Sequence, residues 1–150
     1  MIKLKQLIKE EKEAFRLEKE GKLKVVMRTM SNRLTLYFTS ENGEYLNNGY
    51  IILTDELPPE MFGNPRWRSG YLFVDHVVVN PRGQGYGYLL YKAALNLAKE
   101  KGYSGLASYK KGRSNDASDI WKKLTSFSDS NYDYLDIKDL GTRLKETYDY

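Results

Sequence analysis

The chain has 150 residues, 41% of them hydrophobic, with 24 Lys and Arg against 20 Asp and Glu (net charge +4), no cysteine and one histidine. That is one domain's worth of chain, residues 1–150, able to bury roughly two-thirds of its unfolded surface in a single core. Disulfides, thiolate metal sites, a cysteine nucleophile and a histidine-rich metal cluster are excluded, so no metal is expected; an ion could be held only by scattered carboxylates.

Residues 2–19 place Ile2, Leu4, Leu7, Ile8 and Phe15 at helical intervals between charges, which predicts an amphipathic helix ending at Gly21. The opening MIKLKQLIKEEKEAF is charged too often for a secretory signal, and no apolar run nears the ~20 residues that span a bilayer. With the absence of cysteine, this predicts a cytoplasmic chain that keeps its N-terminus and makes no use of a membrane. LKVVMRTM (23–30) and RLTLYFTS (33–40) form a hairpin around Ser31 and Asn32, SENGEYLNNG (40–49) is turn chemistry, and YIILT (50–54) is a strand. DELPPEMFGNPRWRSG (55–70) holds three of the four prolines and reads as a long loop, in which Trp67 between Arg66 and Arg68 either touches a substrate or plugs the loop onto the core.

YLFVDHVVV (71–79) is the strongest strand and belongs at the centre of a sheet. From Tyr86, apolar residues at Leu89, Leu90, Ala93, Ala94, Leu97 and Ala98 predict a helix to about Lys101, stopped by Gly102. A strand over 103–110, a helix over 114–124 capped by Ser114, a strand over 131–137 and a short C-terminal helix from Lys138 complete the chain. Thirteen tyrosines stand out; rings packed on half-buried strands with wet hydroxyls account for some of them.

Between the central strand and its helix lies NPRGQGYGYLLY, with glycines at 83, 85 and 87. A strand, a glycine turn and a helix together suit a phosphate, because the helix's first amides are outside its ladder and its dipole favours an anion there. The dinucleotide pattern G-x-G-x-x-G fails at Tyr88, and a phosphate-binding loop ending in Gly-Lys-Ser/Thr fails because Tyr88 and Leu89 follow Gly87. A nucleophile elbow fails too, since Ser104 is followed at once by Gly105.

What the stretch does carry is R-x-x-G-x-G, in Arg82, Gly85 and Gly87, directly after Val77–Val79. This resembles motif A of the GNAT superfamily of N-acetyltransferases, best over residues 71–124. The segment GLASYKKGRSNDASDIWKKL is similar to the corresponding part of acetyltransferases encoded in phage genomes. The resemblance implies an α+β (α/β/α) fold, a mixed and mostly antiparallel sheet flanked by helices, in which parallel strands 71–79 and 103–110 splay apart. It further implies acetyl-coenzyme A as co-substrate, its pantetheine arm paired with Val77, Val78 and Val79. The pyrophosphate then lies on the amides of Arg82, Gly83, Gln84, Gly85, Tyr86, Gly87 and Tyr88, with Ser114 opposite.

The implied reaction is direct attack of an amine on the thioester, the acceptor being a small molecule or a protein amine; the chain would act as a monomer or a homodimer. Asp75 and His76 are the candidate bases, which alternation sends to opposite faces; a core histidine and an ion-paired aspartate are the plainer alternative. Where the family places a tyrosine to protonate the thiolate, Trp121 stands, and Ser114 replaces an asparagine, so either the thiolate leaves unassisted with water as donor or another tyrosine serves, Tyr109 being nearest in sequence. A different reading takes the chain as a binding module, either a catalytically silent member of this fold or a basic, tyrosine-rich domain that holds RNA or single-stranded nucleic acid through Lys110, Lys111, Arg113, Lys122 and Lys123. Interspersed charge argues against a nucleic-acid partner.

Overall fold

The computed structural model describes residues 11–31, 33–55, 70–110, 113–129 and 132–139. All of the expected loop over 55–70 but its end residues, with Trp67, residues 2–10 of the N-terminal helix, and the expected C-terminal helix beyond Asp139 lie outside them; Ile137–Asp139 form a 3-10 turn. β1 (Lys24–Met30) and β2 (Arg33–Thr39) pair antiparallel from Met30 and Arg33 outward, the predicted hairpin. β3 (Tyr45–Thr54) is longer than predicted, because the turn chemistry of SENGEYLNNG is spent by Glu44. There the Ser40 hydroxyl accepts from the amides of Asn42 and Glu44 at 3.3 and 3.2 Å.

Asn47, Asn48 and Gly49 then form a bulge: Tyr37 faces Tyr50 while Phe38 faces Leu46. Gly49 adopts φ +128°, and a Cβ there would run into the carbonyl oxygen of Val78 on the next strand. Glycine is required at this spot by both backbone conformation and close approach.

β4 (Tyr71–Val79) is central, as its apolar run, interrupted only at Asp75 and His76, predicts, and is followed by β5 (Gly105–Tyr109), β6 (Phe127–Ser128) and β7 (Tyr132–Asp136). The sheet runs β1-β2-β3-β4-β5-β7-β6, with β4 and β5 its parallel pair and the other described pairings antiparallel. A right-handed parallel connection needs a crossover helix, supplied by α2 (Tyr86–Glu100). α1 (Glu13–Lys19) precedes the sheet and α3 (Asn115–Leu124) follows β5.

The apolar stripe of α2, including Leu90, Ala94 and Leu95, closes over Leu36, Phe38, Ile51, Leu53, Leu72 and Leu106. Each fully buried Leu or Ile here contributes about 1.5–3 kcal/mol. The opposite face carries a second, aromatic cluster of Tyr71, Phe73, Tyr132 and Tyr134. Its rings pack closely, with Tyr134 stacked 4.7 Å from Phe127 and 4.9 Å from Tyr71. Two of these phenols bond carboxylates: Tyr71 donates to Asp136 at 2.6 Å and Tyr134 to Asp129 at 2.9 Å. Elsewhere Tyr37, Tyr50 and Tyr109 are half-buried strand tyrosines, as expected.

Replacing Gly49 with Ala forces a left-handed φ and pushes β3 from β4, so it should lower stability by about 2 kcal/mol or more. A urea titration checks this, with a reduced midpoint and an unchanged slope expected.

Candidate active site

The parallel ladder between β4 and β5 is short. It runs from Tyr71 opposite Gly105 to Val74 opposite Ser108 and stops. At that point β4 takes in an extra residue: Leu53 of β3 faces Val74, but Ile52 faces His76, so Asp75 has no opposite number. Such a bulge bends the strand and increases its twist. Beyond it, Val77, Val78 and Val79 remain paired to Ile51, Tyr50 and Gly49 on one side, while among the described residues no strand pairs with them on the β5 side.

The bulge also overturns the expected alternation. Val74, Val77 and Val79 all pack toward the α2 face. Asp75 reaches Arg33 of β2 at 2.7 Å, and His76 lies with its ring 5.9 Å from that of Tyr50. In-register neighbours share a face, and Arg33 faces Thr54, which faces Phe73 of the aromatic cluster. Asp75 and His76 therefore occupy the same face, the one opposite the helices, because the extra residue resets the pleat.

On the unpaired side of β4 lies a cavity of about 400 Å³. One wall is Val77, Val78 and Val79; Arg82, Gly83, Gly85 and Gly87 form its base; Ser114, Ala117, Asp119 and Ile120 of the α3 region form the other wall, with Lys12 and Tyr91 completing it. Neither Asp75 nor His76 is part of the lining. The base is anchored through Asn80, whose amide donates to Asn48 O at 3.0 Å while Asn48 Nδ2 donates to Asn80 O at 3.1 Å, tying the loop to the β3 bulge.

Gly85 takes φ +90° as the residue before α2, and the first ladder bond of that helix runs from Leu89 N to Gly85 O at 3.2 Å. The Tyr86 and Gly87 amides precede that bond and so fall outside the helix ladder. A Cβ on Gly85 would sit 2.9 Å from the ring of Phe15, so this glycine is needed for helix packing as well as for the loop.

Three of the predicted loop residues turn their side chains away from the cavity. The side-chain oxygen of Gln84 accepts from Glu13 N at 3.2 Å, and its carbonyl accepts from Ala14 N at 2.9 Å. Lys12, the residue before α1, supplies no side-chain cap; Gln84, distant in sequence, does that work. Tyr86 packs edge-on to Phe38 and Tyr88 edge-on to Phe15, each with centroids 5.3 Å apart. Burial, then the nearby Glu13 carboxylate, raises the Tyr86 phenol above its ordinary range.

On the α3 wall, Ser114 Oγ accepts from Ala117 N at 3.1 Å, the predicted cap. Trp121, one turn further on, is 1% exposed and donates Nε1–H to the hydroxyl of Tyr91 at 3.1 Å. Tyr91 is a functional candidate that sequence reasoning missed, since on the stripe of α2 it looks like any core aromatic. Burial pushes its phenol up to about 12, against which the indole hydrogen bond and Arg113 pull it down. Tyr109 is placed elsewhere: its ring lies 5.1 Å from Tyr132 in the aromatic cluster, and it does not line the cavity.

Of the basic residues after β5, Lys122 and Lys123 are exposed, whereas two others are engaged. Arg113 pairs with Asp133 at 2.7 Å, the two side chains being 13% and 10% exposed, and Lys110 donates to Asp129 O at 2.5 Å. Lys111 is outside the described residues. Among those described, no three His, Asp or Glu side chains converge as a metal site, and no helix is long and apolar enough to cross a membrane.

No family model and no curated protein matches the sequence. Among solved structures, nourseothricin acetyltransferase is 18% identical over 71% of this chain and 66% of its own, with a TM-score of 0.47. The chain thus spans just under two-thirds of that protein's length. A protein described as a streptothricin acetyltransferase from Bacillus anthracis, in complex with acetyl-coenzyme A, is 15% identical over 77% and 85% of the two chains (TM-score 0.49). The ribosomal-protein-S18-alanine N-acetyltransferase of Escherichia coli is 13% identical over 73% and 72% (TM-score 0.46). Likenesses this distant carry no functional argument, which rests on the cavity itself.

Two outcomes follow from this geometry. Gln84→Ala removes the acceptor at the start of α1 and should cost about 1 kcal/mol in a urea titration. Tyr91, raised from 10 to about 12 on folding, stabilises the fold fully below pH 10; that contribution is lost as pH rises toward 12, because the unfolded chain gives up its proton first. Stability should fall by on the order of 2–3 kcal/mol more across this window in the native protein than in Tyr91→Phe.

Proposed function

We propose that the chain is an acetyl-coenzyme A-dependent N-acetyltransferase, and that its cavity holds the pantetheine arm and pyrophosphate of that substrate. The observation carrying this reading is the cavity's position, between parallel strands that part in mid-sheet, with one unpaired strand edge and one glycine-rich helix entrance in its walls. An extended chain with its own amides can add to the edge of β4 at Val77–Val79 as a strand would. Beside it, the amides that open α2 and the dipole of that helix favour a diphosphate. Arg82 and Lys12, both in the lining, add positive charge.

Holding a thioester against β4 fixes its carbonyl near main-chain N–H groups, which stabilise the charge that grows on oxygen during attack. The amine attacks carbon directly, and juxtaposition supplies much of the acceleration. Its nitrogen must shed a proton. Asp75 and His76 of β4, on the face away from the helices, take that proton through water. Asp75 is ion-paired to Arg33, and the His76 ring lies beside that of Tyr50. The acceptor class is a primary amine, small or protein-borne.

Acetyl-coenzyme A at a hundred times its Kd should raise Tm by about 5–10 °C, and a panel of primary amines should release free thiol with at least one member. Ala117→Trp fills the cavity from the α3 wall and should abolish the Tm rise while leaving the ligand-free Tm within a few degrees. A native protein whose melting is indifferent to the ligand would contradict the proposal.

A further inference from the structure

When the acyl group leaves coenzyme A, the sulfur carries the electron pair of the broken bond. That sulfur needs a proton. Asp75, His76 and Tyr109 are not in the lining, whose polar side chains are Lys12, Arg82, Tyr91, Ser114 and Asp119. Among the described residues, the one phenol lining the cavity is Tyr91. Its oxygen accepts the Trp121 indole N–H at 3.1 Å, and a phenol that accepts still has its own O–H to donate. The two rings meet edge to face, 5.9 Å apart at 81°, and are 2% and 1% exposed, so the hydroxyl is held in one place.

We propose that Tyr91 donates its proton to the departing thiolate and that Trp121 is the residue positioning it; this rests on the transferase reading above. The acceptor nitrogen forms its bond to the carbonyl carbon, the carbon–sulfur bond breaks with its electron pair on sulfur, and sulfur takes the Tyr91 proton. The phenolate left behind keeps the indole N–H, which stabilises its charge. Nitrogen gives its surplus proton to water, and water returns one to Tyr91, so the balance closes without any other reagent. Burial keeps Tyr91 protonated throughout the neutral range, and the same dry surroundings strengthen the thiolate's hold on a proton.

The test combines turnover with a titration that does not need turnover. Coenzyme A bound to the native protein, to Tyr91→Phe and to a variant carrying 3-fluorotyrosine at position 91 is titrated by the ultraviolet absorbance of its thiolate. Donation to sulfur predicts that the bound thiol ionises at the lowest pH with fluorotyrosine, next with tyrosine, and about one pH unit higher with phenylalanine. With an accepted amine, kcat of Tyr91→Phe should fall about 100-fold while the Kd for coenzyme A, measured by calorimetry, stays within about threefold. The fluorotyrosine variant preserves the packing and keeps the test valid if Tyr91→Phe does not fold. Thiol ionisation that ignores residue 91, or a kcat lost in Tyr109→Phe and kept in Tyr91→Phe, overturns the assignment alone. A native protein that binds no coenzyme A overturns the transferase reading and this assignment with it.

Discussion

The site depends on one constraint in β4: the strand cannot stay in parallel register with β5 past Val74. Asp75 is one residue too many for β3, and accommodating it bends the strand just where pairing with β5 ends. Among the described residues, three valines are left with one edge bonded and the other facing a cavity. Filling that edge with another strand would complete the sheet and remove the cavity. An unpaired edge inside a sheet is otherwise a liability, so its persistence here points to a ligand that completes the ladder.

Rigidity at the base of the cavity comes from helices on either side of it. Gln84 and Phe15 clamp α1 onto the loop, one by hydrogen bonds and the other by filling the space over Gly85. Asn80 ties the start of the same loop to the β3 bulge. A loop held at both ends presents its amides in a fixed array, which reduces the entropy lost when an anion binds. The glycines thus answer two demands, close packing beneath and open backbone above. Trp121 fixes the hydroxyl of Tyr91, which is part of the cavity lining.

Much of this was legible in the residues. The apolar run of β4 and the 3.6-residue stripe of α2 are long, strong patterns, and the glycines between them mark the turn. The Ser114 cap was equally plain, because its signal is local. The bulge at Asp75 was not, since it is defined by which residues of β3 lie opposite, and alternation read along β4 alone sends Asp75 and His76 to different faces. Asn47-Asn48-Gly49 has the composition of a turn and serves as a bulge, because Val78 lies against it. β6, at two residues, is too short to carry a period. Tyr91 and Tyr109 are the sharpest case: both are tyrosines on regular elements, and their roles part only when α3 brings Trp121 against one and β7 brings Tyr132 against the other.

The central claim is that coenzyme A completes the open edge of β4 and rests on the entrance to α2. Amide hydrogen exchange, followed residue by residue with and without coenzyme A, tests it most directly. Protection is predicted in two tracts, Val77–Val79 and 82–87, with little change in β1, β2 or the aromatic face. Binding that leaves both tracts exchanging as before would contradict it.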